Sequence, residues 1–112
     1  MPKTVFVVSD SGHDYSTAQN LGELNFLYDG KINVFASDKL IKELHAKMLK
    51  STAEDYLLPS GNSLATCSAF AILLAKHGAV NILIYSFRNK LYEVRTISKL
   101  QIEKEHMEVR ND

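Results

Sequence analysis

Residues Tyr56–Gly78 read YLLPSGNSLATCSAFAILLAKHG: a short apolar strand, a tight polar turn, and a helix too apolar to face water. Tyr56-Leu57-Leu58 follows the acidic pair Glu54-Asp55 and is stopped at once by Pro59-Ser60-Gly61-Asn62, which is turn chemistry. A side-chain oxygen of either Ser60 or Asn62 can accept from an unpaired N–H of a first helical turn, so a helix begins near Asn62 or Ser63. From Cys67 to Ala75 it runs CSAFAILLA, interrupted by a single hydroxyl, so one amphipathic stripe does not describe it. Phe70, Ile72, Leu73 and Leu74 span most of its circumference, and more than one face needs cover. Lys76 and His77 suit the negative end of the helix dipole, and Gly78 suits the left-handed residue that closes the helix.

Upstream, Thr4 to Ser9 (TVFVVS) is β-branched and aromatic without alternation, the pattern of a central strand buried on both faces. The polar, glycine-containing DSGHDYS that follows takes the chain out of the sheet in a compact loop. Thr17 to Leu21 has room for one helical turn before Gly22. Glu23 to Tyr28 reads as a second strand and Asp29-Gly30 as a turn. Lys31 to Phe35 is then either the return strand of a hairpin or an approach to the next helix. Ser37 or Asp38 caps an amphipathic helix through about Lys50, with Leu40, Ile41, Leu44, Met48 and Leu49 on its apolar side.

Downstream, Ala79 to Ser86 (AVNILIYS) is another strand of the buried type. Phe87-Arg88-Asn89-Lys90 turns the chain into Leu91–Ile97, whose alternation is that of an edge strand. Buried strands alternating with helices predict an α/β fold: a small three-layer, Rossmann-like domain with a mostly parallel sheet and a C-terminal antiparallel hairpin. The expected domain is 1–98, with 99–112 a charged segment, docked or mobile, that keeps Leu100, Ile102, Met107 and Val109 for a contact.

Composition narrows the function classes. Thirteen basic and thirteen acidic residues balance, which argues against a duplex nucleic-acid partner. Cys67 is the only cysteine, so no internal disulfide forms; inside an apolar helix it reads as a small core residue in a reducing compartment. No run is long enough to span a bilayer and the first residues do not resemble a signal peptide, so the expected location is cytoplasmic.

In open parallel sheets ligands bind beyond the carboxyl ends of the strands. Two loops qualify here: Ser9, Asp10, Ser11, Gly12, His13, Asp14 and Tyr15 after the first strand, and Ser60, Gly61, Asn62 and Ser63 after the third. The second opens a helix, whose free N–H groups favour a phosphate or carboxylate, although Ser-Gly-Asn also serves as an ordinary turn and cap. The glycine-rich nucleotide fingerprints are absent and no cofactor is indicated. Asp10, His13 and Asp14 lack a matching ligand set for a metal. His13 is the candidate acid-base group, with Ser60 as nucleophile and an aspartate as orienter; the alternative is that His13 and Asp14 bond the loop's own backbone. His45, His77 and His106 read as surface, helix-end and tail residues.

The succession VVSDSGHDYSTAQNLGEL, DYLLPSGNSL and HGAVNILIY…YEVRTI resembles a group of short uncharacterised proteins of phages and some bacteria, over roughly residues 4 to 97. The resemblance implies viral origin, treats the two loops as one feature, and implies no activity. The expected function is a small binding protein, taking a host protein or a small anionic ligand at the two loops. The alternative is a phosphoryl- or acyl-group hydrolase or transferase using His13 and the Ser60–Ser63 helix start. A homodimer is the expected assembly, with the apolar helix covered either by a second copy or by the C-terminal segment of the same chain.

Overall fold

In the computed structural model, which describes residues 2–29 and 36–110, each stretch of buried-strand composition becomes a strand of one five-stranded sheet. The elements are β1 (Thr4–Ser9), a 3-10 helix (Ser16–Asn20), β2 (Glu23–Tyr28), α1 (Ser37–Lys47), β3 (Tyr56–Leu58), α2 (Ser63–His77), β4 (Ala79–Ser86), β5 (Leu91–Ser98) and α3 (Lys99–Arg110). The segment Lys31–Phe35, read above in two ways, lies outside the described residues.

The strand order is β2-β1-β3-β4-β5. β1 pairs in parallel with both β2 and β3, β3 pairs in parallel with β4, and β5 returns antiparallel to β4. The fold is therefore α/β, with a mostly parallel sheet closed by an antiparallel hairpin. A right-handed crossover must change faces when it changes direction along the sheet. The β1–β2 connection accordingly uses one face, through the 3-10 helix, and the later connections use the other, through α1 and α2.

Alternation along each strand divides the core. Phe6, Val8, Leu27, Leu57 and Val80 point toward α1 and α2, where Leu40, Leu44, Ala65, Ala69 and Leu73 meet them. Val5, Val7, Tyr56, Leu58 and Leu83 point the other way, covered by Tyr15 and Ala18. That second layer is thin, built from a loop and a single 3-10 turn.

Local chemistry explains the ends of α2. Asn62 is the N-cap, its Oδ1 accepting from the Ala65 N–H at 3.0 Å, and Gly78 closes the helix at φ 79. Of the two capping candidates, Asn62 takes the role. The start of α1 departs from expectation: its N-cap is Ala36, and neither Ser37 nor Asp38 caps it. It also ends at Lys47, before Lys50. Just beyond this end the Lys76 ammonium donates to the carbonyls of Met48 and Leu49 at 3.2 and 2.7 Å and to Ser51 Oγ at 3.1 Å, satisfying groups that the helix leaves open. With the end so placed, Leu40, Leu44 and Met48 are buried while Ile41 and Leu49 are exposed.

Three further expectations need correction. Cys67 is exposed: the sheet side of α2 is set by Ala65, Ala69, Ile72 and Leu73, and Cys67 lies opposite. That outward side carries mostly small residues, and Phe70 and Leu74 are already half-buried, so α2 supplies no reason of its own for a second copy. β4 is buried on both faces only in part, since Ile84 and Tyr85 near its end are exposed. Finally, His77 is more than a helix end. Ser51 Oγ, which accepts from Lys76, lies 2.9 Å from its Nε2, and burial together with the neighbouring Lys76 charge holds the imidazole below its usual pKa. No helix among the described residues is long and apolar enough to cross a membrane.

Candidate functional site

The strand order has a direct consequence for where a ligand would bind. Connections leave β1 and β3 toward opposite faces, so the β1–β3 boundary is the switch point at which open sheets leave a crevice beyond the carboxyl ends. Ser9 to Tyr15 and Ser60 to Ser63 emerge side by side there, because β1 and β3 are hydrogen-bonded neighbours.

Three hydroxyls join the two loops. Ser11 Oγ lies 2.7 Å from Ser60 Oγ, Tyr15 Oη lies 2.9 Å from Ser60 Oγ, and Ser11 Oγ lies 3.0 Å from Tyr15 Oη. The Ser11 N–H also donates to Tyr15 Oη at 3.1 Å. Burial by itself would raise the Tyr15 pKa, but hydrogen bonds from Ser11 and Ser60 outweigh it and hold the phenol below its ordinary value. Such bonds favour the phenolate over the phenol.

The rest of the first loop is shaped by its own carboxylates. Asp10 Oδ1 accepts from the Gly12 N–H at 3.0 Å and Asp14 Oδ1 from the Ser16 N–H at 2.9 Å. The second bond lowers the Asp14 pKa. Both are the Asx turns expected of Asp in a tight loop. His13 plays no part in them: its ring stands edge-on to Tyr15 at 6.3 Å, and Ser60 Oγ has Ser11 and Tyr15 as its partners. The backbone-bonding role anticipated for both His13 and Asp14 is thus filled by Asp14 and Asp10.

On the second loop, Gly61 has φ 84, and a Cβ there would lie 2.7 Å from the Cβ of Ser9. The β3–α2 turn therefore rests directly on the end of β1. Asn62 spends its side chain on the helix cap. Ser9 is buried beneath this contact, and Ser63 is exposed at the first turn of α2.

A cavity of about 440 Å³ opens beside the hydroxyl cluster. Its polar rim is His13, Asp14, Tyr15 and Ser60, and its wall is Leu58, Pro59, Leu83, Ile84, Tyr85, Phe87 and Tyr92. The wall is aromatic and ordered by edge contacts: Tyr85 meets Phe87 at 5.2 Å and Tyr92 at 5.1 Å. Burial raises the Tyr92 pKa, with the neighbouring Tyr15, Tyr85 and Asp14 adding to it. Among the described residues no lysine or arginine lines this cavity. Of the loop residues singled out from the sequence, His13, Asp14, Tyr15 and Ser60 line this cavity and Ser9, Asp10, Ser11, Gly12, Gly61, Asn62 and Ser63 do not, and the aromatic wall was not anticipated. Its signal was present in IYSFRNKLY, where three aromatic residues flank the β4–β5 turn, but the wall depends on β4 and β5 lying next to β3.

Among the described residues no group of three His, Cys, Asp or Glu side chains is placed to hold a metal ion. The hydroxyl cluster predicts a modest stability role for Tyr15. Tyr15→Phe leaves the Ser11–Ser60 bond but strips the Ser11 N–H of its acceptor, and should cost about 1–2 kcal/mol in urea unfolding. A variant as stable as the parent would show that the cluster is not what holds the first loop down.

Comparison with known proteins adds one finding. No curated protein and no solved structure matches the chain. A family model described as phage Pam3 gp32-like protein matches residues 3–98, nearly the span over which the motifs resemble short phage proteins. Matched over most of its length, the chain belongs to the phage Pam3 gp32-like protein family.

Proposed function

We propose that this phage-family protein acts in the host cytoplasm as a binding protein, and that its site is the aromatic cavity at the β1–β3 switch point. The single observation that carries the reading is the combination of an apolar aromatic wall with a hydroxyl-bearing rim in one cavity of about 440 Å³, within the size range of small-molecule sites. Such a lining suits a planar apolar group with a hydrogen-bonding edge, whether on a small molecule or on a partner protein. Asp14 on the rim, with no lysine or arginine among the described lining residues, favours a neutral or cationic group over the anion expected from the helix start.

Thermal unfolding against nucleosides, aromatic amines, phosphate and sulfate tests this. A planar ligand at one hundred times its Kd adds about 2.7 kcal/mol, a shift of several degrees for a domain of this size. Tyr85→Ala should abolish the shift, while lowering the unliganded melting temperature through its lost contacts with Phe87 and Tyr92, worth about 0.5–1.5 kcal/mol each. A shift given by phosphate or sulfate alone and retained in Tyr85→Ala would move the site from the aromatic wall to the first turn of α2.

A second reading, a hydrolase or transferase of phosphoryl or acyl groups on the same loops, is favoured by one observation: the Ser60 hydroxyl lies 2.9 Å from a tyrosine whose pKa is lowered. Tyr15, rather than His13, would then be the base for Ser60. Turnover of model esters or phosphate esters, lost in both Ser60→Ala and Tyr15→Phe but kept in His13→Ala, would support it.

A further inference from the structure

β5 is hydrogen-bonded to β4 on one side, and on its other side no strand pairs with it among the described residues. An eight-residue edge with Leu91 42%, Val94 38% and Ile97 38% exposed is long, and such edges recruit another strand; the Val94 carbonyl accepts from Arg95 Nη1 at 2.9 Å, a bond that strand pairing would replace. We infer that the occupant is a second copy of this chain, paired antiparallel through β5 about a two-fold axis at Val94, so that two sheets join into one of ten strands.

The charge pattern selects both the partner and the register. In β5, Leu91, Glu93, Arg95 and Ile97 share one face, and Tyr92, Val94 and Thr96 the other. Two-fold pairing across an edge matches like faces only when the axis falls on a residue. An axis at Glu93 sets two carboxylates opposite each other, and an axis at Arg95 sets two guanidinium groups opposite each other; both are unfavourable. An axis at Val94 sets Glu93 opposite the partner's Arg95, Arg95 opposite the partner's Glu93, and Leu91 opposite the partner's Ile97. Within one chain the Glu93 and Arg95 side chains already meet at 3.0 Å, so their charged ends lie on the same face, beside Val94. The sequence of this edge is complementary to itself.

α3 supplies an independent reason. It leaves the end of β5, every described residue of it is exposed, and Leu100 is 78% and Val109 70% exposed. A twelve-residue helix is marginal in water without a packed face. In the proposed register the end of β5 lies beside the start of the partner's β5, which brings α3 to the partner's 87–90 turn.

Sedimentation equilibrium on the full chain tests the inference. The parent should be a dimer, and Glu93→Arg or Arg95→Glu should weaken it about tenfold or more, because each places two like-charge pairs across the axis. The double exchange, Glu93→Arg with Arg95→Glu, should restore it to within a few-fold. Val94→Lys sets two ammonium groups at the axis without touching the ion pair and should also weaken it, with unchanged circular dichroism as the control for folding. A monomer at all concentrations would overturn the inference. So would a dimer indifferent to the single charge reversals and to Val94→Lys, since its interface would lie elsewhere.

Discussion

Gly61→Ala should lower the unfolding free energy by about 2–4 kcal/mol, the sum of a left-handed backbone that costs an L residue roughly 1–2 kcal/mol and a steric overlap that must be relieved. The overlap is with Ser9, whose Cβ would be 2.7 Å and whose Oγ 3.1 Å from the new methyl. Ser9 is buried at the end of β1 and cannot swing aside, so the turn itself would move. That displacement carries Ser60 away from Ser11 and Tyr15 on one side and Asn62 away from the Ala65 N–H on the other. Gly12→Ala is the matched control. It has nearly the same φ, 82, but no atom of the described residues within 4 Å of the added carbon, so only the backbone cost of roughly 1–2 kcal/mol applies. Urea unfolding of the two variants separates the terms, since a shift in midpoint at constant slope reports stability alone. Equal losses would mean that the β3–α2 turn does not rest on β1 as tightly as its geometry requires.

Leu57→Ala should be of similar size, about 3 kcal/mol, by the lost transfer free energy and the cavity left behind. Leu57 is 1% exposed at the centre of a three-residue strand, with Phe6 of β1 and Ile82 of β4 as its register partners and α2 above. So short a strand is held by its neighbours more than by its own pairing, and little can collapse into the gap. In a domain of this size total stability is about 5–15 kcal/mol, so the loss is a large share. Leu49→Ala, 72% exposed, should stay within about 0.5 kcal/mol of the parent by the same measurement. A Leu57→Ala variant that unfolds near the parent's midpoint would show that the sheet repacks beneath α2.

The features legible from residue order are those governed by contacts a few positions apart. Asn62 reaches the Ala65 N–H three residues on, and Gly78 adopts the left-handed conformation within its own backbone, so both ends of α2 could be read directly. The burial of β1 was legible because TVFVVS offers no polar face to water. Loop chemistry placed after such strands pointed to His13, Asp14, Tyr15 and Ser60, which line the cavity. What failed depended on partners far along the chain. The carbonyls just beyond α1 are bonded by Lys76 of α2, and the exposure of Cys67 depends on which side of α2 meets the sheet. The aromatic wall arises from β4 and β5, whose neighbourhood with β3 no local pattern encodes.

Alternation, turn residues and caps therefore determine which segments are strands and helices and where most of them begin and stop, because those preferences are properties of short pieces of backbone. They also determine the two loops as the polar ends of buried strands. The tertiary structure decides the strand order, and with it the adjacency of β1 and β3, the three-hydroxyl cluster that joins Ser11 and Tyr15 to Ser60, and the cavity beside it. Each of these needs side chains 45 to 49 positions apart to meet, or a helix to choose one side of the sheet over the other. That choice is made by the handedness of crossovers and by burial summed over the whole core, quantities that no single stretch of sequence carries.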